Sequence, residues 1–109
     1  MELQVETHNG TLITKAEGRI DGTNAGEFED AMQAAVSESK ESVVLDCEDL
    51  SYISSAGLRA VLRIAKDLQK RAVKFALCSL SGPIQEVFQI SGFDKIITIH
   101  ASRTAALAD

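Results

Sequence analysis

The stretch Val43-Val44-Leu45-Asp46-Cys47-Glu48-Asp49-Leu50-Ser51-Tyr52-Ile53-Ser54-Ser55-Ala56-Gly57-Leu58 holds a change of hydrophobic period. It opens on a short continuous apolar run that stops at acidic residues, the pattern of a central strand covered on both faces. From Leu58 onward the period is helical: Leu58, Val61, Leu62, Ala65 and Leu68 make one face, and Arg59, Arg63, Lys66 and Lys70 make the other. A buried strand feeding an amphipathic helix is a unit of α/β architecture.

The flanks extend the pattern. Leu3, Val5 and Thr7 alternate, and after His8-Asn9-Gly10 the alternation resumes through Leu12, Thr14, Ala16 and Gly18. Asn-Gly is a strong hairpin signal, so two antiparallel strands are expected there. Phe28, Ala31, Met32, Ala35 and Val36 then predict a first helix, with Glu27, Glu29 and Asp30 in an acidic first turn and Asn24 and Glu27 spaced as a capping box. Beyond the second helix, Val73 to Cys78 reads as a strand, and Ser81-Gly82-Pro83 starts a third helix that Gly92 ends. Ile96 to Ile99 is expected as a short last strand and Thr104 to Leu107 as a terminal helical turn. No linker or repeat interrupts residues 1–109, which predicts a single α/β domain: a mixed β-sheet with an N-terminal antiparallel hairpin and helices packed on it.

Composition narrows the function. The chain has 109 residues, too few for two cores, and 45% are hydrophobic with 25% charged, the mix of a globular domain. A net charge of −5 argues against a phosphate-backbone footprint, and one Tyr with no Trp argues against stacking on single-stranded nucleic acid. The start Met-Glu-Leu-Gln-Val has no basic leader, and no apolar stretch approaches the roughly 20 residues that span a bilayer. Neither nucleic-acid binding nor membrane insertion is expected, and the cytoplasm is the expected address. Cys47 and Cys78 sit in apolar runs and read as buried thiols rather than a disulfide.

Several groups could carry chemistry. His8 and His100 read as exposed surface residues. No glycine-rich phosphate loop is present, and no cofactor is implied. Asp46, Glu48 and Asp49 follow the central strand, where carboxylates either hold a hard cation or cap turns and stay solvated. The basic stripe of Arg59, Arg63, Lys66 and Lys70 reads as a solvated helix face. The stretch 49–58 concentrates hydroxyls where a helix begins, with Ser54 as the N-cap and Ser55 at the first helical position. Gly57 in the first turn sacrifices about 1 kcal/mol of helix propensity, which implies that something approaches this backbone closely. A phosphoryl group on Ser55 would lie beside free amides and the positive end of the helix. A plain serine cap with an incidental neighbour fits the same residues, whereas a nucleophile lacks a paired base.

Asp49-Leu-Ser51-x-Ile-Ser-Ser55-Ala-Gly57-Leu58 resembles the signature of STAS domains, specifically the bacterial anti-sigma factor antagonists. Gly18-Arg-Ile-Asp21-Gly-Thr-Asn-Ala-Gly-Glu-Phe is similar to the family's Gly-x-Leu-Asp turn into the first helix. The resemblance implies a STAS fold over the whole chain and a non-enzymatic, partner-switching role. It implies phosphorylation of Ser55 by an anti-sigma factor that is also a serine protein kinase, and restoration by a metal-dependent Ser/Thr phosphatase. It further implies a partner-binding surface at Asp21, Gly22, Thr23, Ser54, Ser55, Gly57 and Leu58. Many members carry Asp immediately before the acceptor, where this chain has Ser54. A non-switching STAS subunit of a membrane lipid transporter complex is the alternative that the resemblance leaves open.

Overall fold

The computed structural model describes residues 3–108, so Met1, Glu2 and Asp109, the ends of the expected domain and the start of the stretch read for a leader, lie outside them. Strands β1 (Leu3–His8) and β2 (Thr11–Ala16) pair antiparallel with Leu3 opposite Ala16. Their turn sets Asn9 at φ 47° and Gly10 at φ 85°, the left-handed pair that a two-residue hairpin requires. Strands β4 (Ser42–Asp46), β6 (Lys74–Cys78) and β7 (Thr98–His100) add in parallel, giving the order β1-β2-β4-β6-β7. The mixed sheet and the hairpin match the sequence reading, and β4 is central.

Two short strands differ from that reading. Gly18 does not continue β2; its φ of 77° turns the chain after Glu17, and Gly18–Ile20 forms β3. Within the expected loop before the second helix, Leu50–Ile53 forms β5, which pairs with β3 in parallel as a separate two-stranded sheet. Leu50 and Ile53 point inward while Ser51 and Tyr52 are exposed, so this strand carries no alternation for a pattern to detect.

Helices α1 (Ala25–Val36), α2 (Ser55–Lys70) and α3 (Gly82–Ser91) bury Phe28, Met32, Val36, Leu58, Val61, Ile64, Leu68, Ile84 and Phe88 in one core with Val43, Leu45 and Leu77 of the large sheet. Pro83 lies in the first turn of α3 and Gly92 closes it, as the sequence indicates. The expected capping box at α1 is absent: Asn24 caps no helical amide, because its Oδ1 accepts from Asp21 N at 2.8 Å and its Nδ2 donates to Arg19 O at 2.8 Å. A single 3₁₀ turn, Phe93–Lys95, displaces the last strand from the expected 96–99 to Thr98–His100.

Helix α4 (Arg103–Ala108) covers the opposite sheet face, where Ala106 clusters with Val44 and Cys78. Successive residues of β4 therefore face two different apolar layers, which explains the continuous run Val43-Val44-Leu45. Asp46 is only 3% exposed and accepts from Arg103 Nε at 3.0 Å, with Nη2 at 2.9 Å. This corrects the solvated reading of that carboxylate. Cys47 and Cys78 are both free and buried, and burial pushes both thiols above their ordinary range.

Candidate functional site

β5 runs directly into α2 through Ser54, whose backbone is extended at φ −88° and ψ 174°. Its Oγ accepts from Gly57 N at 3.2 Å, so Ser54 occupies the N-cap and its hydroxyl is engaged. Ser55, the first residue of α2, is exposed, and no acidic residue stands in the first turn of that helix. Adjacent serines thus have unlike environments, one tied to the backbone and one facing solvent.

The pairing of β3 with β5 brings a second turn alongside. Ile20 is in register with Ile53, and Ser54 N donates to Ile20 O at 2.8 Å, so the residues that follow both strands emerge together. Asp21 comes next after Ile20. Its Oδ1 accepts from Thr23 N at 2.9 Å and Thr23 Oγ1 at 2.6 Å, while its carbonyl accepts from Ala25 N at 2.9 Å. The Thr23 hydroxyl foremost, then the Thr23 amide, hold the Asp21 carboxyl below its ordinary range. Gly22 and Thr23 are exposed beside it.

Gly57 and Leu58 require correction. A Cβ on Gly57 would stand 2.7 Å from Ile53 Cγ1 and 2.8 Å from Ile20 Cγ2. The close approach implied by the sequence is therefore made by the chain's own β3 and β5. Leu58 is 8% exposed and belongs to the core, so both residues support the surface from beneath rather than form it. His100 is half-buried in β7 rather than exposed beyond it, whereas His8 is exposed as expected. Of the acidic trio, Glu48 and Asp49 both engage Lys15, at 3.3 Å and 3.1 Å, and those bonds hold its ammonium above the ordinary lysine range. Among the described residues no group of three His, Cys, Asp or Glu side chains is placed to hold a metal ion. The basic stripe is exposed, though Arg63 is fixed by Glu29 at 2.7 Å.

Sequence reasoning missed Arg19 and Tyr52. They are in register on β3 and β5, and the Arg19 guanidinium lies 4.2 Å from the centroid of the Tyr52 ring, 3.8 Å from Asp21 Oδ2. Only the pairing of two distant segments creates that contact, so no local pattern marks it.

A model of the STAS domain matches residues 2–106. The chain belongs to the STAS domain family. A relative from Bordetella bronchiseptica, BtrV, provisionally named an anti-sigma factor antagonist, is 42% identical over 99% of this chain and 93% of its own. Among solved structures, a Thermotoga maritima protein given the same provisional name is 18% identical, with a TM-score of 0.90 over 97% of this STAS chain and 92% of that one. The phosphorylated form of the Bacillus cell fate determinant SpoIIAA is 22% identical, with a TM-score of 0.73 over 98% of this chain and 97% of that one. These structural likenesses establish the fold. In this STAS chain, the two segments that carry the family resemblance, 18–28 and 49–58, are the ones the β3–β5 pairing sets side by side.

No helix among the described residues is long and apolar enough to cross a membrane.

Proposed function

We propose that this STAS protein is a cytoplasmic anti-sigma factor antagonist that works by partner switching. Unmodified, it binds an anti-sigma factor that is also a serine kinase and so frees that factor's target. The kinase transfers the γ-phosphoryl group of ATP to Ser55 Oγ; the hydroxyl proton passes to a base of the kinase and ADP leaves. The modified antagonist dissociates, and a metal-dependent Ser/Thr phosphatase hydrolyses the ester to restore the hydroxyl. The chain itself catalyses nothing in this cycle.

The observation that carries this reading is the division of labour between the two serines. Ser54 is tied up as the helix cap, while Ser55 faces solvent beside the ordered Asp21 turn. The 42% identity to BtrV and the existence of a phosphorylated SpoIIAA support the same reading. A phosphate adds about −1.5 to −2 charges where a partner fitted to a neutral hydroxyl must desolvate them. Asp21, Gly22 and Thr23 would share that docking surface with Ser54 and Ser55. The test is incubation with ATP and the kinase that copurifies with the wild-type protein. One phosphate is expected, on Ser55, and it is lost in Ser55→Ala. A phosphate mapping to Ser54 or Ser51 would overturn the assignment.

A further inference from the structure

The chain has five arginines, and the structure commits four of them. Arg19 stacks on Tyr52, Arg63 grips Glu29, Arg71 donates to the carbonyls of Val36, Ser37 and Ser39, and Arg103 holds Asp46 and Glu6. Among the described residues, the Arg59 side chain has no hydrogen bond or ion pair. It is exposed on α2, four residues after Ser55.

Residues four apart on a helix are surface neighbours, about 5–6 Å between Cβ atoms. Long helical side chains lean toward the N-terminus and cover the preceding turn, so the natural reach of Arg59 is onto Ser55. In the adjoining turn and helix, the Asp21 carboxylate is engaged by Thr23 and that of Glu29 by Arg63. Arg59 is therefore an idle guanidinium one turn below an exposed hydroxyl. From this juxtaposition we propose that Arg59 is the internal receptor for a phosphate on Ser55, closing onto it as a charge-assisted pair when the modification is made. Guanidinium and phosphate match in planar, two-pronged geometry, which an ammonium does not reproduce. Phosphorylation then changes two positions of the α2 surface at once: it adds a dianion at Ser55 and withdraws the free cation of Arg59.

This inference rests on Ser55 as the modified residue, and its test is made independent of that reading by installing phosphoserine at position 55 during translation, with no kinase. The second pKa of the phosphate is followed by ³¹P NMR in the full chain and in Arg59→Gln, Arg59→Lys and Lys66→Gln. An i,i+4 ion pair corresponds to a shift of a few tenths of a pH unit. The value should be about 0.3 unit or more higher in Arg59→Gln than in the parent, intermediate in Arg59→Lys, and unchanged in Lys66→Gln, which removes the same charge further along the helix. Equal values in parent and Arg59→Gln, or an equal rise in Lys66→Gln, would overturn the pairing.

Discussion

Replacing Gly57 by Ala sets two effects against each other, and the structure decides the sign. In an ordinary helix interior the change stabilises by about 1 kcal/mol, because glycine gives up more backbone freedom than alanine. Here the added methyl would stand 2.7 Å from Ile53 Cγ1 and 2.8 Å from Ile20 Cγ2, with the Ile20 carbonyl oxygen at 3.3 Å. Both carbons sit next to branched Cβ atoms of inward-facing strand residues, so neither can swing aside as the tip of a long side chain would. Overpacking of this kind costs about 1–3 kcal/mol, and a double collision belongs in the upper half of that range. Net destabilisation of about 1–2 kcal/mol is expected, a fall of roughly 4 °C in thermal midpoint per kcal/mol at this chain length. Urea titration of wild type and Gly57→Ala measures the difference, and Ile53→Ala supplies the cycle. In that background one of the two collisions is gone, so the cost of the methyl should fall by about 0.5 kcal/mol or more. A Gly57→Ala protein more stable than wild type, or an unchanged cost in the Ile53→Ala background, would refute the packing argument.

Two further outcomes follow from the charged groups. Arg103→Ala strands the Asp46 carboxylate, 3% exposed, without its guanidinium, and should cost about 2–3 kcal/mol; this is set toward the low end because Arg103 is itself one-third exposed, whereas Glu6→Ala removes only an exposed pairing and should cost under about 1 kcal/mol by the same denaturant titration. The Asp21 carboxyl should titrate below the ordinary aspartate range by NMR, and Thr23→Val should raise it by deleting the largest contributor. Because the folded value is depressed, the order it lends the turn is complete at neutral pH and is lost as pH falls through that depressed value.

Most local signals mark real elements, although the Asn24 and Glu27 spacing does not form the capping box it predicts. The run Val43-Val44-Leu45, the helical period from Leu58 to Leu68, Asn9-Gly10, Pro83 and Gly92 each act through neighbours in the chain, and each marks an element that the structure contains. The paired strands β3 and β5 escaped because they are three and four residues long and find each other across about thirty intervening residues. The same distance hid the stack of Arg19 on Tyr52 and the identity of what crowds Gly57. Asp46 looked solvated because its partner, Arg103, is 57 residues away. Ser55 was legible as a candidate because helix-start chemistry is local, but its proximity to the Asp21 turn depends on the register of Ile20 with Ile53.

In the proposed cycle a phosphate on Ser55 rejects a partner without remaking the fold. Calorimetric titration of the copurifying kinase with unmodified and Ser55-phosphorylated protein tests it most directly, with amide shifts of both forms recorded alongside. A loss of affinity greater than about tenfold, or 1.4 kcal/mol, is expected, with shift changes confined to the neighbourhood of Ser55 and Asp21. Equal affinity for the two forms would contradict it, as would shift changes spread through the core.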